Sequence, residues 1–335
     1  MARRPAVLVT RRVFPEVLAR LTPHFDVEHN AEDQPWSPDA LRARLAGKAA
    51  AFITPTDRLD AAALAAAGPQ LQVVANMAVG VNHIDIGACD RAGVVVTHTP
   101  GVLTEATADL GWALLMAAAR RVTESERCVR AGQWRGWAVD QFLGLDVHGQ
   151  TLGILGMGQI GQAVARRGAH GFGMRVLYHN RKPLPAAQET ACGARWVSKA
   201  ELLAQADHLV LVLPYSAETH HCIGAAELAA MKPTASLINL ARGGIVDDAA
   251  LARALLRGEL AAAALDVFEG EPNVHPDLLT CDRAVLTPHI GSATRTARLA
   301  MAHLTADNLL AVLAGQPALT PAGQWHRPQH AEPAA

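Results

Sequence analysis

The stretch Thr151–Gly161, TLGILGMGQIG, decides the fold of this chain. Its first five residues form a short apolar run that favours a buried parallel strand. The run ends in a turn with the spacing G-x-G-x-x-G, at Gly156, Gly158 and Gly161. From Gln159 onward apolar residues recur at intervals of three and four, which predicts a helix. The succession of strand, glycine turn and helix is typical of a dinucleotide-binding site.

The three glycines have separate roles in such a turn. Gly156 permits the tight bend after the strand, Gly158 lets a pyrophosphate approach the backbone, and Gly161 lets the helix pack closely on the strand. The free N–H groups and the positive dipole end of the helix then face the phosphates. A glycine turn also occurs for purely structural reasons, but the flanking strand and helix favour nucleotide binding here.

The end of the next predicted strand, Met174–Tyr178, indicates which dinucleotide is bound. An NAD site usually presents Asp or Glu to the ribose hydroxyls about 20 residues beyond the glycines. This chain instead has His179, Asn180, Arg181 and Lys182 in succession. A neutral asparagine followed by two cations would hold a 2′-phosphate, so we predict a preference for NADP(H), with NAD(H) as a second option. The alternative is a solvated basic turn.

The composition is typical of an ordinary globular enzyme. Of the 335 residues, 50% are apolar and 18% are charged, and the formal net charge is −1. The absence of long basic blocks argues against nucleic acid as a partner. No apolar run reaches the roughly 18 residues of a membrane helix, which argues against a membrane partner. Five separated cysteines without a C-x-x-C pair indicate a reducing, cytoplasmic location and no metal site.

Short apolar strands alternate with helical stretches, which predicts parallel sheets covered by helices. We expect five strands in a first domain, at residues 6–10, 25–28, 50–53, 71–75 and 94–97. A long helix over Val102–Arg120 follows, and we expect it to lie between domains or at a dimer interface. Its predicted apolar face consists of Leu103, Ala106, Leu110, Ala113, Leu114 and Ala117.

A second sheet is predicted from the glycine-turn strand onward. Its further strands are expected at residues 174–178, 208–213, 235–240, 262–265 and 284–287. A terminal helix over residues 292–314 should run back to close the first domain, which makes that domain discontinuous. The remaining residues 321–335 are rich in Pro, Gln, His and Ala, and we expect a disordered tail there.

Three predicted strand ends in the second half carry reactive side chains. In open α/β sheets, ligands bind beyond the carboxyl ends of the strands. Arg242 follows one buried strand, Asp266 ends the next with Glu271 a few residues on, and His289 follows a third. Each residue alone is typical of a structural role, such as a salt bridge. Together, after a dinucleotide motif, they form a candidate set of a cation, carboxylates and an acid–base histidine.

The chain resembles the D-isomer-specific 2-hydroxyacid dehydrogenase family in the blocks GILGMGQIG, LINLARGGIVDDAALARAL, AALDVFEGEP and LTPHIGSAT. The resemblance extends from Ala6 to about Leu319. Within the family, HNRKP and PHIGSAT are most similar to glyoxylate/hydroxypyruvate reductases and 2-ketogluconate (2-ketoaldonate) reductases. The resemblance implies an α/β fold with two Rossmann-like or flavodoxin-like parallel-sheet domains and the active site in the cleft between them. The substrate-binding domain would comprise residues 1–100 and 290–320, and the NAD(P)-binding domain residues 101–289.

The resemblance also implies a reaction, the NAD(P)H-dependent reduction of small 2-keto acids to D-2-hydroxy acids. Glyoxylate, hydroxypyruvate and 2-ketogluconate are the substrates expected. Arg242 matches the arginine that binds the substrate's carboxylate and keto oxygen. His289 matches the acid that protonates the carbonyl oxygen as hydride arrives from nicotinamide C4. Glu271 matches the carboxylate that hydrogen-bonds to this histidine, and Asp266 matches the residue that anchors the nicotinamide carboxamide.

Further contacts follow from the same resemblance. Val79 and Gly80 match backbone N–H groups that hold the substrate carboxylate. Trp137 matches a tryptophan that reaches into the neighbouring subunit's site, which implies a homodimer. The implied cofactor contacts, beyond the three glycines and the run from Asn180 to Lys182, are Gln159, Ile160, Pro214, Ala241 and Gly291.

Other functions stay open at this point. A 3-phosphoglycerate-type dehydrogenase has the same catalytic set, but it normally uses NAD with an acid at position 180 and often has a further regulatory domain. Formate dehydrogenases have a glutamine where Glu271 stands. A corepressor of the C-terminal-binding-protein type uses the same scaffold as a dinucleotide-sensing interaction module. Turnover with a panel of 2-keto acids separates an enzyme from such a module.

Overall fold

The central strands of both sheets are mostly apolar and are buried at every position, because each sheet is covered on both faces. In the first strand, Leu8 belongs to one buried apolar cluster, whereas Val7 and Val9 belong to another. This alternation follows from the two-residue period of a strand, which directs successive side chains to opposite faces. The computed structural model describes residues 4–323, and these form two α/β units.

The first unit joins the residues up to Leu103 with those from Thr294 onward. Its sheet is parallel and has the strand order β2-β1-β3-β4-β5, with bounds β1 Ala6–Val9, β2 Asp26–His29, β3 Ala50–Ile53, β4 Val73–Asn76 and β5 Val95–Thr97. The helices between these strands are α1 Pro15–Leu21, α2 Pro38–Leu45, α3 Ala61–Ala67 and α4 Ile86–Ala92. Every predicted strand of this sheet lies within two residues of its observed position.

The second unit is continuous from Thr104 to Ala293. Its first half contains α5 Thr104–Ala119, α6 Val122–Arg130, β6 Thr151–Leu155, α7 Gln159–Gly171, β7 Arg175–His179, α8 Ala186–Cys192, β8 Ala194–Trp196 and α9 Lys199–Gln205. Its second half contains β9 His208–Leu211, α10 Ala225–Ala229, β10 Ser236–Asn239, α11 Asp248–Arg257, β11 Ala262–Leu265, α12 Pro276–Thr280 and β12 Ala284–Leu286. The last helix of the described chain, α13 Arg295–Leu313, belongs to the first unit.

The sheet of the second unit has seven parallel strands in the order β12-β11-β10-β9-β6-β7-β8. The strand order reverses between β6 and β9, as it does in the doubly wound dinucleotide-binding fold. The first sheet has the flavodoxin-like order. The predicted fold class, two parallel-sheet α/β domains of these types, is therefore confirmed. The crevice beyond the carboxyl ends of β6 and β9 is where such a fold binds its ligand.

The long helix α5 is apolar on two sides, and the sequence prediction selected the less buried one. Its buried residues include Gly111, Trp112 and Leu115, which face α7 and the strands of its own unit. Ala113, on the predicted face, is exposed. The predicted stripe is thus mostly not the core-facing side of the helix, and only Leu114 belongs to both sets within α5.

Two features of the second sheet and the C-terminal segment differ from the expectations. The sequence did not indicate β8, which is only three residues long and has two exposed positions. The expected tail begins at residue 321, yet the Ala322 amide donates to the Val96 carbonyl at 2.8 Å and Ala322 is buried. The rest of that tail, from residue 324, lies outside the described residues. Within the described range, no helix has the length and apolarity needed to cross a membrane.

Candidate active site

The glycine turn after β6 has the geometry of a phosphate-binding turn. Gly156 has φ +100°, and a Cβ there would lie 2.7 Å from the Leu213 nitrogen. At Gly161 a Cβ would overlap the Gly156 carbonyl oxygen, because α7 packs directly on the turn. At Gly158, by contrast, a Cβ would meet nothing within 4 Å. The open position lies at the N-cap of α7, where unpaired N–H groups favour an anion.

Asn180 links this turn to the end of β7. Its Oδ1 accepts a hydrogen bond of 2.7 Å from the Met157 amide, between two of the glycines. Its carbonyl accepts from the Trp196 indole N–H at 3.0 Å. Arg181 and Lys182 follow immediately and are exposed. The structure thus places the neutral Asn180 amide beside the glycine turn, with two exposed cations next to it in the chain.

Arg242 lies in a tight loop after β10. Asn239 shapes this loop, because its Oδ1 accepts from the Ala241 amide at 3.0 Å and its Nδ2 donates to the Arg242 carbonyl at 3.3 Å. Gly243 lets the loop approach the segment after β11, since a Cβ there would overlap the Phe268 carbonyl oxygen. The close approach brings the Arg242 guanidinium within electrostatic range of Glu271.

Glu271 and His289 form a hydrogen-bonded pair. The Glu271 Oε2 lies 2.9 Å from the His289 Nδ1, and Oε1 accepts from the Phe268 amide at 3.0 Å. The two side chains are about one-third exposed, at 34% and 36%. With Nδ1 directed at the carboxylate, the other ring nitrogen, Nε2, is the one that can exchange a proton with a bound molecule.

Burial and charge act in opposite directions on the ionisable groups of this pair and its neighbour. Burial raises the pKa of Glu271, but the hydrogen bond and charge of His289 and the charge of Arg242 outweigh it, and the pKa is lowered. Burial lowers the pKa of Arg242, and the nearby charge of Glu271 opposes that effect. Glu271 is therefore ionised at neutral pH and can balance a positive charge on the histidine.

Asp266 holds the loop that carries His289. Its Oδ1 accepts from the Thr287 hydroxyl at 2.6 Å and the Ile290 amide at 2.8 Å, and its Oδ2 accepts from the Gly291 amide at 2.8 Å. Asp266 is only 2% exposed. A carboxylate has about four acceptor positions, so about one, on Oδ2, is left beyond these three donors. The loop is held tightly, and His289 adopts φ +53° within it.

The predicted substrate-binding amides of Val79 and Gly80 lie in the first unit, in the turn after β4. The Ala78 carbonyl accepts from the Thr99 amide at 2.9 Å, and the Val79 carbonyl faces His98 Nδ1 at 3.1 Å. In a planar trans peptide the N–H points opposite to the C=O. The Val79 and Gly80 N–H groups therefore point away from these two partners.

The other predicted contacts have varied surroundings. Gln159 and Ile160 begin α7 beside the open position at Gly158. Ala241 is buried in the Arg242 loop, and Pro214 is exposed in the loop after β9. Trp137 is 84% exposed in the segment between α6 and β6, so nothing in the described chain covers most of its ring. Within the described residues, no hydrogen bond or ring contact joins Trp137 to the other predicted site residues.

Several positioning residues were missed by the sequence analysis. Asn239 and Thr287 act on Arg242 and Asp266 through the hydrogen bonds given above. Asp248, at the start of α11, accepts from the Glu269 amide at 3.0 Å and is 5% exposed. Burial raises the pKa of Asp248. In the sequence, each of these three residues appears only as a polar residue at a strand end or helix start. Polar residues at such positions usually have only a structural role.

The chain matches known proteins over nearly its whole length. The family model described as "D-isomer specific 2-hydroxyacid dehydrogenase, NAD binding domain" matches residues 112–291. Glyoxylate reductases from Thermococcus onnurineus and Aeropyrum pernix are 46% and 47% identical to this chain, respectively. The alignments cover 93% and 94% of this chain, respectively, and 94% of each relative.

A solved structure extends the likeness to the fold. It is the NADPH-dependent glyoxylate/hydroxypyruvate reductase of Sinorhizobium meliloti in complex with NADP and malonate, which is 34% identical with a TM-score of 0.84. The match covers 95% of this chain and 97% of that one. The resemblance predicted from the sequence blocks is thus confirmed, and the chain belongs to the D-isomer-specific 2-hydroxyacid dehydrogenase family.

Proposed function

We propose that this dehydrogenase reduces glyoxylate, hydroxypyruvate and related small 2-keto acids, including 2-ketogluconate, to D-2-hydroxy acids with NADPH. The observation that carries the proposal is the Glu271–His289 pair beside Arg242, in a chain 46% identical to a glyoxylate reductase. A cation, a carboxylate and an acid–base imidazole are the groups that carbonyl reduction requires from the protein.

His289 donates the proton. The Glu271 carboxylate lies at Nδ1 and orients the ring, so Nε2 is the nitrogen that gives its proton to the keto oxygen of the substrate. The bound nicotinamide cofactor supplies the hydride. Because Glu271 also accepts from the Phe268 amide, the carboxylate keeps its orientation when the imidazole gains or loses its proton.

Arg242 binds the substrate's carboxylate and keto oxygen. A guanidinium presents two parallel donors to a planar carboxylate, which gives direction as well as charge. The Val79 and Gly80 N–H groups are further donors to the same carboxylate, and the orientation of their peptide planes supports this role. We assign substrate binding to the first domain, residues 1–100 and 290–320, and cofactor binding to residues 101–289.

The cofactor preference rests on the end of β7. As a member of this family, the chain binds a nicotinamide dinucleotide. The open position at Gly158 fits the pyrophosphate of that cofactor. The Asn180 side chain is neutral and accepts from Met157, so no carboxylate is present at that position to repel a 2′-phosphate. The exposed cations Arg181 and Lys182 lie next to it, which supports NADPH as the preferred donor.

We also propose a cytoplasmic homodimer. The segment from α6 to the residues before β6 has a set of exposed large apolar side chains, Val122, Val129, Trp134, Trp137, Val139 and Leu143. Large exposed apolar sets of this kind mark interfaces, and an interface would explain the exposure of Trp137. All five cysteines are free thiols, which supports a reducing compartment.

The test is steady-state reduction of glyoxylate, hydroxypyruvate and 2-ketogluconate, each with NADPH and with NADH. The proposal expects turnover with at least one of these acids and a higher kcat/KM with NADPH. Preference for NADH would contradict the assignment of Asn180 and Arg181. Clear NADPH binding without turnover of any acid would contradict the proposed reductase activity and favour a dinucleotide-sensing module.

A further inference from the structure

Three metal-ligating side chains converge outside the proposed active site, on the loop after β9 and the segment after β11. They are His220, His221 and Glu269, and their ligand atoms all lie within 4.8 Å of one another. The two imidazole rings are stacked, with centroids 3.9 Å apart and planes inclined by 22°. Two histidines and a glutamate with an open fourth position form a ligand set that zinc uses in proteins.

The His221–Glu269 contact already has close to the spacing of two ligands on one ion. Its Nε2 and Oε2 atoms are 2.9 Å apart. Bonds of about 2.0–2.2 Å to a tetrahedral zinc ion put two ligand atoms about 3.3–3.6 Å apart. A widening of about 0.4–0.7 Å, within the freedom of two partly exposed side chains, would let an ion take the place of this direct contact.

Tyr215 supports the other histidine from behind. Its hydroxyl oxygen lies 3.2 Å from His220 Nδ1, which leaves Nε2 as the ring nitrogen for an ion. Histidine ligands usually donate their second N–H to such a partner, and the partner fixes the tautomer and the ring orientation. This contact is independent of the cluster itself and has the form expected around a metal ligand.

The backbone that carries the three ligands is held in place. The His221 amide donates to the Gly244 carbonyl at 2.7 Å, and the Glu269 amide donates to the Asp248 carboxylate at 3.0 Å. The ligands therefore converge without rearrangement of either segment, which lowers the conformational cost of binding.

We propose that His220, His221 and Glu269 bind a divalent transition-metal ion of the zinc class, with water at the remaining position. The ion joins the loop after β9 to the segment after β11. Since Gly244 is two residues from Arg242 and Glu269 is two residues from Glu271, occupancy would fix the spacing of the segments that carry those groups. Binding itself does not depend on the proposed reaction.

The test is calorimetric titration of the chelator-treated full-length protein with Zn²⁺, without substrate or nucleotide. We expect one site whose affinity falls at least about tenfold in both His220→Gln and Glu269→Gln, a loss within the range for altered metal sites. His148→Gln is the matched control, because it removes an exposed histidine outside the cluster. Cys222→Ser tests the neighbouring thiol, and both controls should bind as the original protein does.

A second measurement separates the site from a folding defect. Zn²⁺ bound only to the folded state raises the thermal midpoint, and this rise should disappear in His220→Gln while the metal-free midpoint stays unchanged. Equal zinc affinity in the original protein, His220→Gln and Glu269→Gln would overturn the proposal. So would binding that is lost in Cys222→Ser and retained in the two ligand variants.

Discussion

The three glycines of the turn after β6 can be separated by experiment, because an added methyl group meets a different environment at each. At Gly158 the Cβ of an alanine would meet nothing within 4 Å, and φ is −77°. The fold can therefore accept Gly158→Ala without a clash. At Gly161 the same change overlaps the Gly156 carbonyl oxygen and puts the Cβ 3.2 Å from the Gly156 carbonyl carbon.

The two variants should therefore fail in different ways. In Gly161→Ala, α7 must move away from the turn, and overpacking of this kind costs about 1–3 kcal/mol. In a unit of this size that lowers the thermal midpoint by roughly 3–10 °C. In Gly158→Ala, a weaker N-cap residue and reduced freedom of the unfolded chain nearly cancel, to within about 1 kcal/mol.

The change at Gly158 should instead weaken cofactor binding. The methyl group of Gly158→Ala occupies the open position at the start of α7, where the pyrophosphate is proposed to lie. We expect NADPH to bind at least about tenfold more weakly, which corresponds to about 1.4 kcal/mol. Nucleotide fluorescence gives the dissociation constant, and differential scanning calorimetry gives the midpoint.

The outcome at Gly158 decides whether the turn is a phosphate site. A Gly158→Ala protein that melts like the original and binds NADPH equally well would refute the assignment. A Gly158→Ala protein that loses several degrees of stability would show instead that the position is sterically filled, contrary to the geometry.

Further changes test the other assigned residues. His289→Ala should lower kcat at least about 100-fold with little change in thermal midpoint; near-normal turnover in steady-state assays would exclude His289 as the proton donor. Arg181→Ala should weaken NADPH at least about tenfold and leave NADH binding unchanged, and equal losses in fluorescence titrations would exclude a 2′-phosphate contact. Glu271 has a lowered pKa, so its stabilisation is complete above the ordinary glutamate pKa and is lost as pH falls through the lower folded pKa. Glu271→Gln should therefore cost about 1 kcal/mol at pH 7, since the pair is one-third exposed, and should flatten the acid limb of the plot of unfolding free energy, measured in urea, against pH. An unchanged acid limb would contradict the pairing.

The sequence alone predicted the two parallel sheets, apart from β8, and proposed the reactive set. Apolar runs of four or five residues identify buried strands, and the glycine spacing at Gly156, Gly158 and Gly161 identifies the turn, because only backbone geometry is involved. Arg242, Glu271 and His289 stood out as polar residues at strand ends, and parallel strands deliver such residues to one edge of a sheet. These are local or periodic signals, which a single sequence contains.

The tertiary structure decided which partner each polar side chain takes. Asn180 holds the Met157 amide because β6 and β7 are paired in register, and residues far apart in sequence meet there. Asp266 likewise holds Thr287, Ile290 and Gly291 through the pairing of β11 with β12. No periodicity records such a meeting, because it depends on how strands are ordered in space.

The tertiary structure also decided which face of a helix is buried and which edge of a sheet is paired. The helix α5 is apolar on two sides, so its periodicity could not tell whether Ala113 or Trp112 faces the core. The strand β8 is an edge strand with two exposed residues, and it forms because β7 offers an unpaired edge. A local pattern specifies what an element is. The choice of its buried face depends on the neighbours that compete to cover it, and these neighbours come from distant parts of the chain.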